Sequence, residues 1–255
     1  MDSGLLEPGN ELKEGMRVLG TGRGGAFSSV RQQELASSDA LAWQRYIQQF
    51  LPAGRRLRIL DIGTGPGFLA ILMARCGHTV TAVDSSTGMI EEACRNAAAF
   101  GANVDFHVAD ALALPFADDQ FDLILSRNLT WNLPDVTAAY TEWYRVLCPG
   151  GLLLNFDANY GPVHFTAAAE EEENVHHTID MALLRECDDL KDALQISKEC
   201  RPAWDLCCVE SIGFKNCGYT RDIRPFVHTS PDMKYDMAPL FCLHGRKEAA
   251  DQAAH

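Results

Sequence analysis

No window of this sequence approaches eighteen uninterrupted apolar residues, so a membrane-spanning helix is not expected. The opening residues, MDSGLLEPGNELKEG, lack the basic-then-apolar order of a secretory leader. These two absences give the expected setting: cytoplasmic, with no membrane partner. Basic residues are scarce, with 22 Lys and Arg against 35 Asp and Glu and a formal charge of −13. Phosphate-backbone binding rests on clustered Lys and Arg, so nucleic acid is not an expected partner. The nine cysteines contain no C-x-x-C pair and no zinc-type spacing, so no metal is expected. Residues 1–25 hold seven glycines and end GTGRGG, yet they lack the Gly-Lys-Ser/Thr ending of a phosphate-binding loop. They read as a flexible arm. No internal repeat is present.

What remains is ordinary in bulk. A chain of 255 residues, 47% hydrophobic and 22% charged, suits one α/β domain with additions. Residues 38–51 read as a helix capped by Ser38 or Asp39, with Leu35, Ala42, Trp43, Tyr46, Ile47, Phe50 and Leu51 on its apolar face. From Leu57 short apolar strands alternate with helices. Strands are expected at 56–63, 78–84, 103–110, 121–128 and 152–159, and helices at 66–77, 87–101 and 135–151. Such alternation implies right-handed crossovers and a mostly parallel sheet covered on both faces. An acidic, largely helical insertion follows over 161–205, carrying eleven acids and four bases. A last helix over 203–214 and two closing strands over 215–227 and 237–248 complete the pattern.

The stretch RILDIGTGPGFLAILMARCGHTVTAVD, Arg58 to Asp84, carries the chemistry. Its glycines permit a tight strand-to-helix turn and close backbone approach to a ligand. Asp84 ends the second strand, where a carboxylate can accept both hydroxyls of an adenosine ribose. Spacing separates two cofactors that share these features. A dinucleotide fingerprint needs its third glycine where Phe68 stands, and Phe68 would push the helix off the strand. The pattern is D-x-G-x-G-x-G, with Asp61 beside the turn and suited to a cationic amino group.

Over about residues 55–160 the chain resembles the class I S-adenosylmethionine-dependent methyltransferases, in particular the small-molecule group similar to the ubiquinone-biosynthesis type. LDIGTGPGFLA, VTAVDSSTGMIEEA, VADALALPFADDQFDLILSRN and EWYRVLCPGGLLLNFD follow in family order. The resemblance implies an α/β fold, a Rossmann-like seven-stranded sheet with helices on both faces. The remainder divides into an arm and lid helix (1–54), the cofactor core (55–160), the insertion as a substrate lid (161–205) and the closing elements (206–255).

The resemblance also implies S-adenosylmethionine as cofactor and assigns its contacts. Gly63, Thr64, Gly65 and Gly67 would form the loop under the methionine part, with Asp61 near the amino group and Asp84 on the ribose. Ser85 and Met89 would flank the adenosine, Met89 either against the adenine or as plain helix core. Asp110 would meet the adenine amino group beside the Ala111 backbone. Ser126, Arg127 and Asn128 would lie under the sulfonium, unless Ser126 only bonds a strand end.

Methyl transfer needs alignment above all, and a base only where the nucleophile keeps its proton. No catalytic residue follows from the motifs. Acceptor-side candidates come from the loops after strands four and five: Trp131, Asp157, Asn159, Tyr160 and His164. Trp131 stacks on a substrate or covers the cofactor, and Asp157 is a base or a loop hydrogen bonder. His164 has a suitable pKa range but reads as structural, and His176 and His177 read as surface. The expected activity is methyl transfer to O, N or S of a small molecule by a monomer or homodimer. A macromolecular methyltransferase and a non-catalytic cofactor-binding module are the competing readings. The acidic insertion favours a neutral or cationic acceptor. Cys187, Cys200, Cys207, Cys208, Cys217 and Cys242 invite comparison with metalloid methylation, but neighbours in a helix diverge by about 100°. These thiols are expected to be mostly core.

Overall fold

The computed structural model describes residues 28–168, 181–235 and 238–249. The expected 1–25 arm, His176 and His177 lie outside them. Seven strands form one sheet: β1 (Arg58–Ile62), β2 (Thr79–Asp84), β3 (Asp105–Val108), β4 (Phe121–Arg127), β5 (Leu147–Ala158), β6 (Lys215–Thr220) and β7 (Leu240–Arg246). Their order is β3-β2-β1-β4-β5-β7-β6. The first five are parallel, and β7 runs antiparallel to both of its neighbours. The order reverses between β1 and β4, and in such sheets the ligand crevice opens outside the carboxyl ends there.

Six helices matter here: α1 (Ser38–Gln48), α2 (Phe68–Arg75), α3 (Thr87–Ala99), α4 (Val136–Val146), α5 (Met181–Ala193) and α6 (Ala203–Ile212). Side-chain alternation along β4 explains the two layers. Leu123 and Leu125 face a core shared with Trp43 and Ile47 of α1 and Phe68 to Met73 of α2. Ile124 faces the opposite core, with Tyr140 and Trp143 of α4 and Cys208 and Val209 of α6. Strands buried on both faces read as continuous apolar runs, as β1 and β4 do.

Several boundaries differ from the sequence reading, each for a local reason. Helical residues 28–36 precede α1, and the cap between the two is Ser37. Its hydroxyl accepts from the Asp39 N–H and donates to the Glu34 carbonyl, so it joins both helices. The expected strand 215–227 ends at Thr220. Asp222 takes the Arg224 N–H, and Pro225 has no N–H for a ladder, so Arg224–Val227 turns into a short helix. Helix α4 stops at Val146, before the Pro-Gly-Gly, because Leu147 pairs with Phe121.

The described part of the insertion holds the short helix Phe165–Ala168, α5 and a 3-10 turn, Gln195–Lys198. Asp188 of α5 accepts from the Phe165 and Thr166 N–H groups, which ties the insertion to itself. No described helix is long and apolar enough to cross a membrane.

Candidate active site

The loop leaving β1 explains its own glycines. Gly63, Gly65 and Gly67 have φ of 67°, 52° and 92°, a region that L side chains rarely adopt. A Cβ on Gly63 would meet Leu129 Cδ2 at 2.7 Å, and one on Gly67 would meet the Ala93 Cβ at 3.2 Å. A Cβ on Gly65 would meet nothing within 4 Å, so open space lies over that backbone.

Asp84, at the end of β2, faces the same loop. Its carboxylate accepts from the N–H groups of Gly65 and Ser86, each at 2.9 Å. Burial pushes its pKa above the ordinary range, against the pull of those bonds. A carboxylate aligned on a glycine turn with space above it fits a hydroxyl-rich, uncharged sugar ring. Among the described residues, the hydrogen bonds to Asp84 come from backbone N–H groups.

Other predicted residues gather at the same edge. Ser85 is exposed, and the Ser86 hydroxyl caps α3 by accepting from Met89 N–H at 3.3 Å. Met89 is buried but belongs to neither of the two cores flanking the sheet. Asp110 accepts from Leu112 N–H at 2.9 Å, and the Ala111 carbonyl accepts from Trp143 Nε1 at 3.0 Å. Asn128 has a φ of 54° and is exposed, and its carbonyl accepts from Trp131 Nε1 at 3.1 Å.

Three side chains expected at the cofactor are taken up by bonds within the fold. Asp61 does not present a free carboxylate: it is buried, accepting from Thr64 Oγ1 at 2.6 Å and Ala70 N–H at 3.1 Å. Burial raises it to about 7 despite those bonds. It braces the turn. The Ser126 hydroxyl donates to the Ile62 carbonyl at 3.0 Å, the plain strand-end role. The Arg127 side chain grips Glu34 through two nitrogens at 3.0 and 2.9 Å. Trp43 and Phe68 lie under its guanidinium at 4.5 and 4.9 Å, where cation–π attraction fixes it.

Asp157 is likewise no free base. Its Oδ2 accepts from the Thr130 hydroxyl and from Trp131 N–H, with Arg201 at 3.5 Å. Arg201 also makes two bonds of 2.8 Å to Asp205, which accepts from the Tyr140 hydroxyl at 2.7 Å. All of these side chains are buried. Burial holds Asp157 above the usual carboxylate range even beside Arg201.

Trp131 and Tyr160 do come together. Their rings lie 5.0 Å apart, each 5.5 Å from Phe165, above the ends of β4 and β5. Leu184 and Cys187 of α5 close this small apolar cluster. Asn159 directs a buried Oδ1 that has no partner among the described residues, and His164 is exposed.

Sequence reasoning missed a second polar group on the N-terminal side. Glu34, fully buried, holds both Arg127 and Arg31. Burial opposes its charge, but the two guanidiniums outweigh it and keep the carboxyl low. His228 stacks on Tyr235 at 3.5 Å and 4°, and the Tyr235 hydroxyl donates to Asp39. The remaining Asp39 bonds come from Thr229 and Ser230. The Asp39 bonds reach across 190 to 196 positions and the Glu34–Arg127 pair across 93, and no local motif announces them.

The cysteine expectation is half met. Cys187, Cys208 and Cys242 are buried and Cys217 half-buried, but Cys200 and Cys207 are exposed. In α6 the neighbours diverge, Cys208 inward and Cys207 to solvent. Among the described residues no three His, Cys, Asp or Glu side chains gather as a metal site. A cleft of about 170 Å³ between Arg55, Asp122 and Arg246 opens at the amino ends of β1 and β4, away from this chemistry.

Comparison with known proteins agrees with this geometry. Residues 59–151 match the model of a methyltransferase domain. The ubiquinone biosynthesis O-methyltransferase of Dinoroseobacter shibae is 38% identical over 119 residues, 47% of this chain and 48% of its own. The demethylmenaquinone methyltransferase of Thermus thermophilus is 40% identical over 116 residues, 45% and 53% of the two chains. The chain thus spans about half the length of these two relatives.

Solved structures extend the likeness of fold. A Haemonchus contortus phosphoethanolamine N-methyltransferase in complex with S-adenosyl-L-methionine superposes with a TM-score of 0.57 at 18% identity. That match covers 86% of this chain and 60% of the other. The YcgJ protein of Bacillus subtilis gives 0.51 at 20% identity, covering 82% and 99%. By sequence, residues 59–151 are therefore similar to a methyltransferase domain, and the fold around them is one that solved methyltransferases share.

Proposed function

We propose that the chain transfers a methyl group to an oxygen, nitrogen or sulfur atom of a small molecule by in-line displacement. The observation that carries this reading is the Asp84 carboxylate on the Gly65 turn, with open space over Gly65. Gly63, Thr64, Gly65 and Gly67 would cradle the methionine part, and Asp84 the ribose. Ser85 and Met89 would flank the adenosine, with Asp110 and Ala111 at its amino group. The backbone of Ser126, Arg127 and Asn128 would border the sulfonium. When bound, S-adenosylmethionine supplies a methyl carbon activated by positive sulfur.

The chain's own part is orientation and the exclusion of water. Holding the acceptor in line can contribute about 7–11 kcal/mol of barrier reduction. Trp131 and Tyr160 would form an apolar wall for the acceptor, with Asn159 offering a carbonyl oxygen. Asp157 positions that wall through Trp131 N–H and is no base in this reading. The quinone-pathway names of the relatives support a small organic acceptor. The enzyme would work in the cytoplasm as a monomer or homodimer.

Calorimetry with S-adenosylhomocysteine on wild type and Asp84→Ala tests the core of this reading. Equal affinity in both would remove the ribose assignment, and no binding to wild type would remove the activity. Labelled methyl recovered in RNA or protein from a lysate, and not in the small-molecule fraction, would reassign the acceptor.

A further inference from the structure

The cleft at the amino ends of β1 and β4 lies at the opposite edge of the sheet from the glycine loop. Along β4 the two edges are about 20 Å apart, at about 3.3 Å per residue. The cleft has a volume of about 170 Å³. Cavities of about 150 Å³ admit a benzene-sized ring, so this space suits a compact organic molecule. Phe50, Leu51, Pro52, Pro149 and Leu152 supply apolar walls. Gly150 lies on the same lining with a φ of 77°, and a Cβ there would meet nothing within 4 Å.

The charged groups on this lining are Arg55, Asp122 and Arg246. Asp122 is fully engaged. Its oxygens accept from Arg55 Nη2 at 3.1 Å, from the Arg58 N–H at 2.9 Å, and from Arg58 Nε and Nη2 at 3.1 Å each. Burial opposes its charge, but the Arg58 bonds win and hold the carboxyl low, so it stays ionised. Arg246 is placed differently. Its Nη1 donates to the Gly150 carbonyl and its Nη2 to the Phe50 carbonyl, each at 3.2 Å. Both acceptors are neutral, and among the described residues no carboxylate pairs with this guanidinium. Anchors on two separate segments hold the fork in place and leave its Nε–H and the second hydrogens of both Nη groups uncommitted. Arg55 is the mobile neighbour: its side chain is 62% exposed and holds Asp122 through one nitrogen, a weak kind of pair. Lys247 beside the cleft is paired with Asp119 and adds no net charge. Arg55, Arg58 and Arg246 thus meet a single carboxylate, in a chain whose formal charge is −13. A local positive excess beside apolar walls fits an anion.

We propose that this cleft binds a compact organic anion, a carboxylate on an apolar body of about one ring in size. The Arg246 fork is its fixed contact and Arg55 its mobile one. The site is separate from the proposed cofactor crevice, so the two can be filled together. The inference does not depend on the methyl acceptor assigned above.

The test is a ligand-observed NMR titration of the full-length protein with benzoate and hexanoate, each beside its amide, and with inorganic phosphate. At least one carboxylate should bind about tenfold or more tighter than its amide, the worth of one charge-assisted hydrogen bond. Phosphate should bind more weakly than that carboxylate, because it gains nothing from the apolar walls. Excess S-adenosylhomocysteine should leave the carboxylate affinity unchanged. Arg246→Met should bring the carboxylate-to-amide ratio close to one, and Arg246→Lys, a cation without the fork, should keep part of it. Arg55→Gln should weaken the carboxylate by about threefold. If Arg246→Met does not fold, Arg55→Gln decides, and an unchanged affinity there overturns the proposal. It is also overturned if neither carboxylate outbinds its amide, or if phosphate binds as tightly as the better carboxylate. Retention of the preference in a folded Arg246→Met, or displacement of the carboxylate by S-adenosylhomocysteine, would overturn it equally.

Discussion

Gly65 and Gly77 share a left-handed backbone, with φ of 52° and 91°, and neither has an atom within 4 Å of an added Cβ. Alanine at either position should cost about 1–2 kcal/mol of stability through backbone strain alone. Only at Gly65 would the methyl group occupy the proposed cofactor space. Gly65→Ala should therefore lose S-adenosylhomocysteine affinity by at least about tenfold, a 1.4 kcal/mol effect, and Gly77→Ala should keep it. Thermal unfolding beside calorimetry separates the two terms.

Asp61 makes a pH prediction of definite sign. Its folded pKa of about 7 lies above the unfolded value of 3.8, so the native state holds a proton that the unfolded chain has lost. Its contribution to stability is present below the unfolded pKa and is lost as pH rises toward about 7, by up to about 1.4 kcal/mol per pH unit. Asp84 and Asp157 act in the same direction. Asp61→Asn should flatten the wild-type decline in urea midpoint between about pH 4 and about pH 7, and an unchanged slope would refute the assignment. The thiols divide as sharply. Burial pushes Cys242 up to about 12, so a thiol reagent should spare it while it labels Cys94, Cys200 and Cys207 in the native protein.

At the scale of elements, Arg201 ties the start of α6 to the end of β5. Arg201→Met would leave Asp157 and Asp205 buried without their shared cation, which should cost about 3–5 kcal/mol. A urea titration should show it, and a loss below about 1 kcal/mol would mean that the network is dispensable. This network also marks where sequence reading stops. The β1 loop, Asp84 and the α2 run were legible because turn chemistry and apolar period act over a few residues. The mostly parallel sheet followed from the alternation of elements. Arg201 and Asp205 were passed over as ordinary charges of an acidic insertion, because their partners Thr130, Tyr140 and Asp157 lie 44 to 71 positions away. The bond of Arg127 to Glu34 is hidden for the same reason: Glu34, 93 positions earlier, carries no motif.

For the whole molecule, Asp39 anchors one of the two longest hydrogen-bonded ties described, each spanning 196 positions. Burial opposes its charge, yet the Tyr235 hydroxyl and the Thr229 and Ser230 N–H groups win and hold its pKa low. Asp39→Ala should strip these donors of their acceptor and cost about 2–4 kcal/mol, from several buried bonds of about 1 kcal/mol each. The consequence is one of timing. The donors lie 190 to 196 residues beyond Asp39. A ribosome adding about 5–20 residues per second adds them about 10–40 seconds after it adds Asp39. Through that interval the carboxylate stays in water, and the Tyr46–Phe226 contact has yet to form. Nascent chains arrested before residue 229 should therefore be cut by protease near α1, and those arrested with residue 235 clear of the tunnel should resist.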